Sequence, residues 1–369
     1  MTPSEPSQPP GTPLAPLRGS ALFVRLAAIG AVIAGIAGLF FFAGGWFSPR
    51  ALSPAAMINT FEVVNGKAPG FRRNHAKGVC VSGYFEGNGR GVAFSKAAVF
   101  RAGRVPVLGR FALAAGQPYV ADAPHTVRSM ALLFKLPDGE EWRSGMNNIP
   151  VFVVNSAQAF RSLLLASAPD AATGKPDAAK MSAFLASHPE SARALSLIRA
   201  QTVSSGFENS AFNSLNTFRF INAAGAVIPV RWSMQPAQPF QPVGAPSAGK
   251  LGTNYIFDSL IASVHAAPLQ WHLIITLAQP GDPTDDATLP WPADRQHVDV
   301  GTLTIDRVES EDTSPARDLN FDPLVLPIGI AGSDDPLLSA RSAAYAESFT
   351  RREGEHKSPS AVSTGETER

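Results

Sequence analysis

His75 follows Arg72 by three residues in RRNHAKGVCVSG (72–83), directly before an alternating apolar run that reads as a β-strand. An imidazole at a strand mouth can take up and return a proton, or it can be an ordinary satisfied histidine at a strand edge. A second grouping lies near the C-terminus. Arg341, Tyr345, Ser348 and Arg352 stand at i, i+4, i+7 and i+11, so they share one face of a helix. A guanidinium one turn from a phenol favours the phenolate, and a phenolate is a ligand that ferric haem accepts from tyrosine. The same spacing also suits a plain amphipathic helix with a solvated basic edge.

Other motifs point to less. GNGRG (87–91) has the glycines of a phosphate loop, but VAFSK after it is strand-like, and a phosphate loop must open a helix. It reads as a hairpin turn. GDPTDD (281–286) does not have the spacing and terminal Glu of an EF-hand loop and reads as a solvated loop. The seven histidines form no HExxH motif and no tight pair. Cys80 is the single cysteine, which rules out an intrachain disulfide and a thiolate zinc site.

The 369 residues are 45% hydrophobic, enough to bury a sizeable core, and the net charge of +1 gives no reason to expect nucleic acid. Residues 1–20 are rich in Pro, Ser and Thr and read as a disordered tail. An uncharged stretch at 26–47 would form a helix roughly 33 Å long, enough to cross a lipid bilayer, with Phe40, Phe41, Phe42 and Trp46 at one end as interfacial aromatics. A cleaved signal peptide is the competing reading, but its apolar region is normally shorter and ends in a small-x-small site. Residues 21–47 are therefore expected to anchor the chain in a bacterial inner membrane by a single pass. A short N-terminal tail usually stays in the cytoplasm, which places the bulk of the chain on the periplasmic side.

Residues 48–59 read as a linker, 60–352 as one folded domain, and 353–369 as a disordered polar tail. Within the domain, VCVSGYFE, GVAFSK, VPVLGRFAL, MALLFKL, VFVVN, NTFRFIN, AVIPVRWSM, QWHLIITLA and GTLTID have strand length and period. So many short runs joined by turns predict an antiparallel barrel or sandwich. Helices are expected at 156–167 with Ser156 as N-cap, at 176–188 and 189–202 split at Pro189, and at 334–352. The class is α+β with a strand-built core.

RRNHAKG…GYFE, VPVLGRFALAAG, GMNNIPVFVV and RSAAYAESFTRR occur in the order and spacing of the haem catalase family, and NSLNTFRFINAAG and FDPLVLPIGI are similar to its middle and late segments. The resemblance covers residues 60–352, the extent of the short catalase-related peroxidases, without the N-terminal arm and C-terminal helical region of full-length catalases. It implies a catalase-like antiparallel β-barrel with flanking helices, and haem b as the iron cofactor. By position, His75 matches the distal histidine and Asn147 the distal asparagine. Tyr345 matches the proximal iron ligand, and Arg341 the arginine that holds its phenolate. Arg72, Arg110 and Arg352 match arginines that receive the haem propionates, and Phe152 and Phe160 match aromatics that pack on the porphyrin. In these roles a neutral imidazole serves peroxide as base and then acid, and a neutral amide orients it.

Two departures stand out. The family usually has a serine after RF whose hydroxyl bonds the distal histidine, and here that place holds Ala112. Asn74 replaces a small apolar residue. His75 is thus expected to be less firmly oriented, which would slow proton shuttling. The tail is expected to shield the haem edge thinly. Both favour a peroxidase that reduces hydrogen peroxide, with organic peroxides as further candidate substrates, using small organic donors and evolving little oxygen. The rivals are a true catalase, a fatty-acid hydroperoxide rearranging enzyme, and a non-catalytic haem- or lipid-binding barrel at the membrane.

Overall fold

The computed structural model describes residues 19–43, 52–170, 172–244 and 251–365. The tail before residue 19, Trp46 and the first residues of the expected linker lie outside them. Helix α1 (Ser20–Ala43) carries Leu22–Phe42, long and apolar enough to cross a membrane, with large apolar side chains exposed along it.

The second unit, from Pro54 onward, is built on ten antiparallel strands: β1 (Gly78–Gly87), β2 (Gly103–Leu113), β3 (Arg128–Lys135), β4 (Glu141–Asn147), β5 (Phe212–Asn213), β6 (Phe218–Ile221), β7 (Val227–Pro236), β8 (Leu269–Leu277), β9 (His297–Glu309) and β10 (Ile330–Gly332). Eight of them, in the order β7-β5-β4-β3-β2-β1-β9-β8, close on themselves because β8 also pairs with β7. Closure removes the free edges. β6 and β10 extend the sheet beyond β7. Alternation sorts the residues: Phe111, Leu113, Met130, Leu132, Phe134, Trp142 and Met146 fill the barrel, so Arg110, Ala112, Ser129, Gly145 and Asn147 point to its outer face.

Helices α2 (Pro54–Asn65), α3 (Ala157–Ala166), α4 (Ala178–Ser187), α5 (Pro189–Ala200), α6 (Tyr255–Ala266) and α7 (Pro336–Glu353) complete the unit. Ser156 caps α3 by accepting from the Ala159 amide, and Pro189 opens α5, both as expected. α6 buries Ile256, Phe257, Leu260, Ile261 and Val264 in the barrel core, and its Ile256 amide is held by Asp122 at 2.9 Å.

Several expectations are corrected. GVAFSK is not a strand: with Gly89 at φ +82°, the chain enters a 3₁₀ turn at Arg90–Ala93, and Phe94 and Ser95 donate to the Gly91 carbonyl instead of to a neighbouring strand. GNGRG therefore opens a long connection rather than a tight hairpin. VFVVN is also irregular; its apolar side chains pack beside α3 and α4. Residues 54–59 are helix and not linker, since α2 buries Met57, Ile58 and Phe61. Nor is the described part of the tail free. Glu355 pairs with Arg73, Lys357 bonds Asp318 at 2.7 Å, Ser358 donates to the Pro69 carbonyl, and Val362 is fully buried. Charge pairs and backbone bonds hold this polar strap, so its low hydrophobicity gave no sign of it.

Candidate active site

The basic residues around His75 are anchors as well as candidate ligands. Arg73 is buried and bonds Glu62, Glu355 and the Phe71 carbonyl. Lys77 is buried against Asp122 at 2.6 Å and donates to the carbonyls of Val120 and Thr253. Between them His75 adopts φ +57°, a left-handed conformation uncommon for a residue with a Cβ. Arg110 holds it there, donating to the carbonyls of His75 at 2.7 Å and Ala76 at 2.9 Å, while its Nε meets Glu311 at 2.7 Å. The guanidinium reaches across β1 over Gly78, where an added Cβ would lie 2.4 Å from the Arg110 Cζ and 2.6 Å from the Phe111 carbonyl oxygen. Glycine is required at 78 for this close approach.

His75 meets a hydroxyl despite Ala112. Its Nδ1 lies 3.0 Å from Ser129 Oγ, which donates to Asn147 Oδ1 at 2.5 Å. Ser129 stands opposite Ala112 on β2 and opposite Asn147 on β4. The expectation of an unsupported His75 is thus corrected: the hydroxyl comes from the neighbouring strand. Burial, then the charges of Arg110, Arg341 and Arg72, push the His75 pKa down to about 3, against the Leu113 carbonyl, which acts in the other direction. The ring is neutral near pH 7. Asn74 is half-buried at the same mouth.

Arg72, Arg110 and Arg352 gather around one carboxylate, Glu311. Burial first, then Arg110 and Arg352, hold the Arg72 guanidinium well below its usual pKa, with Glu311 opposing. Arg72 Nη1 is 3.6 Å from Glu311, and its Nη2 donates to the Leu319 carbonyl at 2.9 Å. Arg352 donates to the Arg317 carbonyl, and its Nε is buried without a hydrogen-bond partner. This is an excess of positive charge that calls for anions.

Tyr345 and Arg341 sit on α7, which Asp335 caps by accepting from the Leu337 amide at 2.9 Å, with Pro336 in the first turn. Arg341 bonds Asn216 Oδ1 and donates to the Gly145 carbonyl at 3.1 Å; Asn216 in turn donates to Asp335 at 2.7 Å. The helix cap and the guanidinium are therefore tied together. A Cβ on Gly145 would lie 3.4 Å from both the Tyr345 hydroxyl and Arg341 Nη2, so phenol and guanidinium both approach the bare backbone of β4. Phe152 and Phe160 pack on each other with ring centroids 5.5 Å apart, and Phe61 of α2 meets Phe160 at 5.9 Å.

The family model for catalase matches residues 48–362. The chain belongs to the catalase family. It is 34% identical over 306 residues to a catalase-related peroxidase of Synechococcus elongatus, covering 83% of this chain and 90% of that one. A catalase-related peroxidase of Mycolicibacterium paratuberculosis is 30% identical over 304 residues, covering 82% and 96%. The catalase of Rattus norvegicus is 27% identical, covering 76% of this chain and 56% of that one. Among solved structures, a fungal catalase superposes with a TM-score of 0.71 at 20% identity, covering 81% of this chain and 63% of that one. At that identity the likeness shows the catalase barrel alone.

The residues present fit a haem. The arginine cluster around Glu311 and the unpartnered Arg352 Nε suit propionate carboxylates. The phenol of Tyr345 lies beside a guanidinium. Ser129, Glu311, Gly145 and Asn216 were not found from the sequence, because each matters through a partner on another strand or helix. Gly78 had a signal: a glycine at the start of a strand-like run can mark close backbone approach.

Proposed function

We propose that this catalase-family chain is a haem b peroxidase that reduces hydrogen peroxide with small organic donors. The observation that carries the reading is the joined pair of a neutral His75 and Asn147 on the barrel's outer face. Binding alone needs no such proton-handling pair, which counts against a passive haem or lipid barrel. Haem held here would supply a redox-active iron for the reduction of peroxide. Tyr345 would hold that iron with Arg341 near its oxygen, and Arg72 and Arg352 would receive the propionates. Arg110 spends most of its donors on His75, Ala76 and Glu311, so its larger part is to fix the distal backbone. His75 Nε2 would take the proton from one peroxide oxygen and return it to the other, while the Asn147 amide orients the molecule.

The purified protein should carry one haem per chain with a high-spin ferric, tyrosinate-type spectrum, and should oxidise small phenols or amines with weak oxygen release. An oxygen electrode decides the second part. Vigorous oxygen evolution with little donor oxidation would make this a catalase. The docked strap at 353–365 covers the surface around Arg73 and Asp318, so donor access does not follow from a loose tail, and the names of the two relatives carry the peroxidase preference.

α1 further supports anchorage in a bacterial inner membrane, with the haem domain on the periplasmic side. A reporter fused at the C-terminus that works only in the cytoplasm should be silent; an active one reverses the orientation. A mature chain beginning after α1 would make the helix a signal sequence.

A further inference from the structure

We propose that Ser129 is the positioning residue that sets the proton arrangement of both His75 and Asn147, replacing a hydroxyl that Ala112 cannot supply; this rests on the peroxidase reading of the site. Three adjacent strands place Ala112, Ser129 and Asn147 in one row on the outer face of the barrel, because each is the direct cross-strand partner of the next. Ser129 stands in the middle, within hydrogen-bond distance of His75 on one side and Asn147 on the other.

Proton counting gives the direction. A serine hydroxyl has one proton, and Asn147 Oδ1 can only accept. The proton therefore points at Asn147, and Ser129 Oγ accepts from His75 Nδ1–H. His75 then carries its lone pair on Nε2, where a base needs it. With Oδ1 engaged, Asn147 is left with its amide N–H groups to donate. The reverse chain, running from the asparagine amide through the hydroxyl to Nδ1, would put a proton on Nε2 and turn the asparagine oxygen outward, so neither group could serve peroxide. A hydroxyl at 112 could approach the same imidazole, since opposite residues share a face with Cβ atoms about 5 Å apart. It could not also hold Asn147, two strands or about 10 Å away.

The test uses the full haem-loaded chain with Ser129→Ala, Ser129→Thr, the double variant Ala112→Ser/Ser129→Ala, and His75→Ala as control. Ser129→Ala should lower the second-order rate with peroxide by about 10–100-fold, the usual scale for losing an outer partner of a site residue. Haem per chain and the donor-dependent rate should stay at the parental level. Cyanide, which binds ferric haem after giving up a proton, should bind more weakly by a similar factor, a readout independent of turnover. Recovery of both quantities in Ser129→Thr or in the double variant shows that the hydroxyl, not the volume, matters. The proposal is overturned if Ser129→Ala keeps the parental rate and cyanide affinity, if its rate falls only with haem content, or if neither hydroxyl-bearing variant improves on it. Should His75→Ala also keep the parental rate, the peroxidase reading of the site falls instead.

Discussion

Tyr345→Phe should yield a folded protein that no longer retains haem. The substitution removes one oxygen and leaves the ring, and α7 is secured elsewhere: by the Asp335 cap, by buried Leu337 and Leu338, and by Arg351 and Arg352 in its last turn, where cations suit the helix dipole. Secondary structure by circular dichroism should be unchanged. What is lost is the oxygen proposed to hold the ferric iron, so the haem-to-protein absorbance ratio should fall nearly to zero. An unchanged visible spectrum would remove Tyr345 from the ligand role. Arg341→Ala tests the same arrangement more gently. The guanidinium near the phenol is removed, and Asn216 and the Gly145 carbonyl lose their donor, so haem occupancy should drop in part.

His75→Ala should lower the rate of peroxide reduction by ~10²–10⁴, the usual worth of a positioned acid–base group, with haem content retained. A rate within threefold of the parent would overturn the peroxidase reading of the site. The pH profile of the parent supplies an independent check. With its pKa pushed down to about 3 by burial and by Arg110, Arg341 and Arg72, folded His75 stays neutral through the range where a free imidazole titrates. No loss of activity centred near pH 6.5 is expected. The sign for stability follows from the same shift. Between about 6.5 and about 3 the unfolded chain binds a proton that the folded one does not, so this residue makes the fold less stable as pH falls through that window and has no effect above it. The alanine variant should be less acid-sensitive in thermal unfolding by that contribution.

Much of the barrel was legible because an alternating period is a property of a few consecutive residues. VPVLGRFAL and MALLFKL show in their own letters which side chains face inward, and β2 and β3 lie where those letters put them. β4 escaped, since EWRSGMN has only Trp142 and Met146 as apolar residues, and their partners Phe134 and Met130 are supplied from β3. α6 escaped even though its buried Ile256, Phe257, Leu260, Ile261 and Val264 keep a helical period, with Asp258, Ser259 and His265 on the exposed side. In GVAFSK, a left-handed Gly89 overrode an apolar pattern that would have suited a strand.

The site divides along the same line. The order of motifs along the chain, through the resemblance to the catalase family that it carries, was enough to nominate His75, Asn147, Tyr345 and the arginines. The partners of those residues depended on register. Ser129 becomes the neighbour of both His75 and Asn147 only once β2, β3 and β4 are aligned, and a shift of one residue would turn it into the barrel. Glu311, 201 residues from Arg110 along the chain, and Asn216, 125 from Arg341, are likewise brought in by closure of the barrel and by the docking of α7. The polar strap is held by Arg73, Pro69 and Asp318, none of which leaves a mark on the tail's own composition. Residue type and local period belong to the sequence; the pairing of groups far apart along the chain exists only in the folded state, where long-range contacts offset the entropy of bringing them together.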